Sequence, residues 1–83
     1  MTRDEVLSLI RAHLADELSL EAGSIVEATH FRDDLEADSL DLYTLVQELE
    51  DSYGIRMPEE EAAKIVTVGM AVDYVVAHAP DSA

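Results

Sequence analysis

The stretch from Asp38 to Gly54 constrains this chain more than any other. At about 100° per residue, Leu42, Leu45, Val46, Leu49 and Tyr53 share one face, with Leu40, Thr44, Gln47 and Asp51 opposite. Asp38 is a good N-cap, because its carboxylate can accept from the free N–H groups of a first helical turn. Gly54 supplies a left-handed stop. The pattern predicts a helix over 39–53 with Ser39 at its first position. A helix with one apolar stripe must bury that stripe, so other elements have to cover it.

The flanking sequence offers those elements. Thr2 and Glu5 fit a capping box, and Val6, Leu7, Ile10 and Leu14 then recur at helical spacing. A helix over roughly 3–17 is predicted, with Arg3, Asp4, Arg11 and Asp16 turned outward and His13 a structural residue at the stripe's edge. Over 19–38 the periodicity fails, giving a long loop that Ile25, Val26, Phe31 and Leu35 can anchor, with room for a short helical turn. After an extended connector through Pro58, the acids Glu59, Glu60 and Glu61 followed by Lys64 complement the dipole of a short helix over 59–64. Thr67 can cap a last helix over 68–79, in which Val68, Ala71, Val72, Val75 and Ala79 share a face. Pro80 ends it, leaving Asp81, Ser82 and Ala83 as a frayed tail. The expected fold is all-α: a four-helix bundle with three longer helices and one short helix before the last, forming one domain over 1–83.

Composition narrows the function. Hydrophobic residues make up 48% of the 83, too many for a disordered chain, yet no apolar run approaches the roughly 18 residues of a membrane span. No basic, apolar leader opens the chain, so the cytoplasm is the expected location, or an organelle after removal of a transit segment. Nineteen acidic residues against five basic ones give a net charge of -14. Such a surface repels nucleic acid phosphates and favours partners with basic patches, whose approach long-range attraction accelerates roughly 10- to 1000-fold at low salt. The chain has no cysteine, which excludes disulfides, a thiolate nucleophile and a cysteine zinc site. Thiol chemistry here needs sulfur carried on a prosthetic group.

The densest chemistry surrounds Ser39, a hydroxyl among Asp33, Asp34, Glu36, Asp38 and Asp41, with Leu40 behind it. A calcium loop of EF-hand type starting at Asp34 would need glycine sixth and glutamate twelfth, where Ser39 and Leu45 stand, so no metal site is expected beyond weak divalent binding. A two-carboxylate hydrolase needs a pocket that drives two pKa values apart, and these acids open a polar helix face. His13, His30 and His78 bring no strand-turn-helix context to Ser39, so a hydrolase triad is not expected either. A modification site is permitted, since the first turn of the predicted helix would offer the Ser39 hydroxyl on a rigid element.

The run Phe31-Arg32-Asp33-Asp34-Leu35-Glu36-Ala37-Asp38-Ser39-Leu40-Asp41 resembles the signature of acyl carrier proteins. Ile55-Arg56-Met57-Pro58-Glu59-Glu60-Glu61-Ala62-Ala63-Lys64-Ile65-Val66-Thr67-Val68 is similar to that family's third-helix region, and the likeness continues to Val72-Asp73-Tyr74-Val75. The resemblance implies a non-enzymatic, monomeric carrier of the stand-alone type, with 4'-phosphopantetheine placed on Ser39 by a phosphopantetheinyl transferase from coenzyme A. It implies acyl chains held as thioesters, in type II fatty acid synthesis first, with a polyketide, peptide or special-lipid pathway as the alternative. An unmodified acidic interaction or ion-binding protein is the alternative from another class. The resemblance further implies that Leu42, Val46, Leu49, Ile65, Val72 and Val75 line or border an acyl pocket. Glu36, Asp38, Leu40, Asp41, Thr44, Gln47, Glu48 and Asp51 would meet partner enzymes, with no membrane insertion and no nucleic acid.

Three positions depart from the family pattern. Glu36 stands where glycine is usual, and Thr44 and Gln47 replace an acid and an apolar residue common in fatty-acid carriers. A phosphodiester on Ser39 would gain roughly 0.3–1 kcal/mol from the helix dipole and lose a comparable amount to Glu36, Asp38 and Asp41, which favours a mobile arm. The net charge of -14 strains any compact state, so monovalent salt or divalent cations should raise the melting temperature. A melting temperature flat across a salt titration is the contrary result.

Overall fold

A computed structural model describes residues 2–79. Its helices are α1 (Arg3–Leu18), α2 (Ser39–Tyr53), α3 (Glu59–Ala62) and α4 (Val68–His78), with a single 3-10 turn at Ala22–Ser24 inside the long loop. Pro80 and the tail over 81–83 lie outside the described residues.

Local chemistry accounts for the helix boundaries. Thr2 Oγ1 accepts from the Glu5 N–H at 3.2 Å, one half of the reciprocal box that its sequence allows. α1 ends on Ser19 in the left-handed region at φ 56°, with its N–H bonded to the Ala15 carbonyl. α2 ends on Gly54 at φ 64°, where a residue without Cβ carries no steric cost. α3 is two residues shorter than its composition predicts. Lys64 and Ile65 N–H groups bond back three residues, to Glu61 and Ala62, and the chain then extends through Val66 to Thr67. Thr67 Oγ1 accepts from the Met70 N–H at 3.2 Å and starts α4. Ala79 is extended at ψ 142°, as the residue before a proline must be.

α1 packs mainly on α4 and also on α2. Val6, Ile10 and Leu14 of α1 and Val68, Val72 and Val75 of α4 are fully buried, and Leu45 and Leu49 of α2 close the core. At about 25 cal/mol per Å2, each such side chain contributes on the order of 1.5–3 kcal/mol.

The loop over 19–38 is held down. Ile25 and Phe31 are buried and Leu35 is half-buried, as expected, but Val26 is 47% exposed. Extended backbone at Ile25 sends successive side chains to opposite sides, so only one of the pair can enter the core. Phe31 N–H bonds to the Val66 carbonyl and Val68 N–H to the Thr29 carbonyl, both at 3.0 Å. Gly69 N–H bonds to the Glu27 carbonyl at 2.8 Å, and a Cβ at Gly69 would lie 3.0 Å from that same oxygen. Arg11 is not turned outward; its Nε donates to the Ile25 carbonyl at 2.6 Å. Arg3 bonds both Asp73 and Glu27, and those bonds push its pKa further up, so one exposed guanidinium ties α1 to α4 and the loop.

Glu36 has φ 56°, in the left-handed region, which explains why glycine is the usual residue there. That conformation costs an L-residue roughly 1–2 kcal/mol, more than glycine loses through its freer unfolded chain. Glu36→Gly should therefore stabilise the fold by about 0.5–1 kcal/mol, read as a melting temperature higher by about 4 °C. Glu36→Ala removes the charge while keeping the backbone cost, so it should gain clearly less. Equal gains from both substitutions would assign the effect to charge alone.

Candidate functional site

The site begins with the cap of α2. Asp38 is extended, and its Oδ1 accepts from the Asp41 N–H at 2.9 Å. Asp41 Oδ2 accepts in return from the Asp38 N–H at 3.2 Å, so two aspartates close a full capping box. Asp34 Oδ2 accepts from the His30 N–H at 2.7 Å. Three of the five carboxylates around Ser39 are therefore occupied with backbone, while Asp33 and Glu36 lie exposed. Among the described residues, no three His, Cys, Asp or Glu side chains are grouped to hold a metal ion.

Ser39 is the first residue of α2 and is exposed. Arg32 Nη2 donates to its Oγ at 3.2 Å across the turn that precedes the helix. Sequence reasoning passed over Arg32, because seven residues and a left-handed Glu36 separate it from its partner.

The outward face of α2 presents Leu40, 68% exposed, together with Tyr43, Gln47 and Asp51. Glu48 is half-buried and accepts from the Ser52 hydroxyl at 2.5 Å. Thr44 departs from the solvent-facing position expected of it. It is half-buried against α1, donating to Glu17 Oε1 at 2.7 Å, with the Asp41 carbonyl at 2.8 Å and His13 Nε2 at 3.5 Å. The packing of α1 on α2 turns that side of the helix inward.

Beside Ser39 lies an open-mouthed cavity of about 680 Å3. Leu42, Val46, Leu49 and Ile65 line it, and Ser39, Leu40 and Arg32 contribute to the same wall. Val72 and Val75 do not line it; both are fully buried on α4, where α1 covers them. Ala71 takes α4's place in the lining, joined by Phe31, Leu45, Met57, Ala62 and Ala63, none of which sequence reasoning singled out for it. The small side chains at 62, 63 and 71 were the available signal, since a wall of methyl groups leaves room beside a leucine-rich helix. Gln47, Glu50 and Glu59 add polar groups, and Glu50 is anchored by accepting from the Met57 N–H at 2.7 Å. The space thus combines an aliphatic interior with an exposed hydroxyl in its wall, which suits a tethered apolar ligand.

Comparison with known proteins identifies the family. The family model described as "Phosphopantetheine attachment site" matches residues 8–75. The acyl carrier protein of Rubrobacter xylanophilus is 50% identical over 78 residues, covering 94% of this chain and 96% of that one. That of Lactobacillus acidophilus is 42% identical over 78 residues, covering 94% and 98%. The solved structure of the acyl carrier protein from Enterococcus faecalis superposes with a TM-score of 0.82 at 40% identity, over 95% of this chain and 100% of that one. The sequence signature, the helical fold and the phosphopantetheine-site match over most of the chain agree: this chain belongs to the acyl carrier protein family.

Proposed function

We propose that Ser39 is the residue to which 4'-phosphopantetheine is attached, and that the chain carries acyl groups between enzymes of type II fatty acid synthesis without catalysing a step. The observation that carries this reading is the exposed Ser39 hydroxyl on the first turn of α2, in the wall of an aliphatic cavity. When bound, the prosthetic group supplies the thiol that holds an acyl chain as a thioester, and the chain itself has no cysteine to supply one.

The protein's own residues position and shelter. The reciprocal Asp38–Asp41 cap fixes the first turn, so the hydroxyl is offered to a phosphopantetheinyl transferase on a rigid element. Leu42, Val46, Leu49 and Ile65, with Ala62, Ala63 and Ala71, keep water from an apolar chain. Each methylene buried there is worth about 0.8 kcal/mol. Acyl-handling enzymes with basic patches meet Glu36, Asp38, Asp41, Glu48 and Asp51 around the apolar contact Leu40, with Gln47 beside it. Glu59, Glu60 and Glu61 extend the acidic surface. The reading places the carrier in the cytoplasm as a monomer.

Incubation with coenzyme A, magnesium and a broad-range transferase should add one phosphopantetheine to the intact mass, and Ser39→Ala should abolish the gain. No gain on the unaltered chain would sink the proposal. Leu40→Ala combined with Asp51→Lys should lower partner kcat/KM about 3- to 10-fold at low salt and less at high salt, because steering is screened. An unchanged kcat/KM at low salt would remove α2 as the docking face.

A further inference from the structure

We infer that Arg32 binds the phosphodiester at Ser39 and so holds the root of the prosthetic arm beside the cavity. The inference rests on the reading of Ser39 as the attachment residue. Arg32 Nη2 already donates to Ser39 Oγ at 3.2 Å, so a phosphorus bonded to that oxygen would bring its two unesterified oxygens into space the guanidinium borders.

The backbone delivers Arg32 to this point. Phe31 is 1% exposed and its N–H is bonded to the Val66 carbonyl, so the residue before Arg32 is fixed in the core. The Arg32 carbonyl accepts from the Glu36 N–H at 3.1 Å, and the Phe31 carbonyl accepts from Ala37 at 2.9 Å. The left-handed Glu36 then folds the chain back to bring residue 39 beside residue 32.

The charge pattern around it points the same way. Asp33, Asp34, Glu36 and Asp38 are sequence neighbours of Arg32 in a chain of net charge -14. Among the described residues Arg32, like Arg11 and Arg56, enters no ion pair, and of these three only Arg32 bonds Ser39. Asp34, Asp38 and Asp41 accept backbone N–H groups, and the guanidinium bonds the serine hydroxyl rather than any of these carboxylates. A planar guanidinium matches the two free oxygens of a phosphodiester in a way that a lysine ammonium cannot. The near-cancellation between helix dipole and acids around Ser39 leaves out this cation, which shifts the balance toward a held root and a free distal arm. Arg32 and Ser39 line the same cavity, so holding the root there aims the arm at the aliphatic interior.

The test uses protein loaded on Ser39 and verified by intact mass, as the unaltered chain, Arg32→Lys and Arg32→Gln. Two signals are followed: the Arg32 Nε–H resonance before and after loading, and 31P relaxation of the phosphodiester. In the unaltered chain, loading should displace the Arg32 resonance while that of Arg56 stays, and salt should reverse the displacement. The fraction of time the root is held should fall roughly two- to fivefold in Arg32→Gln, with Arg32→Lys between. A merely structural Arg32 would leave 31P relaxation unmoved. Loading with no change in the Arg32 resonance, and equal 31P relaxation in all three proteins, overturns this inference alone. Failure of the unaltered chain to load overturns the Ser39 reading beneath it. If a variant melts early, the salt titration of the unaltered chain decides by itself.

Discussion

The backbone pairing between the long loop and the start of α4 is the constraint on which the rest depends. Bonds from Phe31 to Val66, Val68 to Thr29 and Gly69 to Glu27 join segments separated by some forty positions of sequence. They seat Phe31 and satisfy polar backbone that would otherwise be lost beneath the loop. They also set where the following turn emerges, and therefore where α2 begins. Without them the loop would rest on side-chain anchors such as Ile25 and Leu35, the Arg3 contacts and the Arg11 bond to the Ile25 carbonyl.

Acidic residues play two physically separate parts in this chain. Asp34, Asp38, Asp41 and Glu50 accept backbone N–H groups and so shape turns and helix ends. Asp33, Glu36, Asp51, Glu59 and Glu60 stand exposed and mainly add to the negative field around the protein. Both groups raise the self-repulsion of the folded state, but only the first returns local order for it. The exposed set adds self-repulsion without a backbone bond in return, a cost in stability that the proposed docking of basic partners would offset.

Features governed by neighbours in sequence were legible in it. The Asp38 cap, the Gly54 stop, the Thr67 cap and the buried stripes of α1 and α4 follow from spacing and side-chain chemistry within a few residues. Ser39 was legible through its resemblance to a known signature and its place at a helix start. What periodicity could not supply was the direction each apolar face turns. Val72 and Val46 both lie on the apolar stripes of their helices, yet the first is fully buried and the second lines an open cavity. Thr44 was assigned to solvent because a wheel has no knowledge of His13 and Glu17 on the helix beside it. Arg32 was missed because its partner is brought to it by a left-handed residue rather than by helical spacing.

α3 is a single turn, four residues long, and contributes no fully buried side chain. A helix of that length has no stability of its own, since nucleation alone outweighs the few bonds it makes. Its position is inherited from Met57 on one side and the Thr67–Val68 start of α4 on the other, both tied to the core. The cavity wall it forms is therefore compliant, and Ala62, with Ala63 just past its end, has no rotamer to rearrange as it shifts. A guest chain of varying length, as the proposed function requires, would thus be met by displacing one turn of backbone rather than by repacking the bundle. On the proposed reading the occupant would behave as an interchangeable part of the hydrophobic core, and the melting temperature would become a gauge of how many of its carbons are inside.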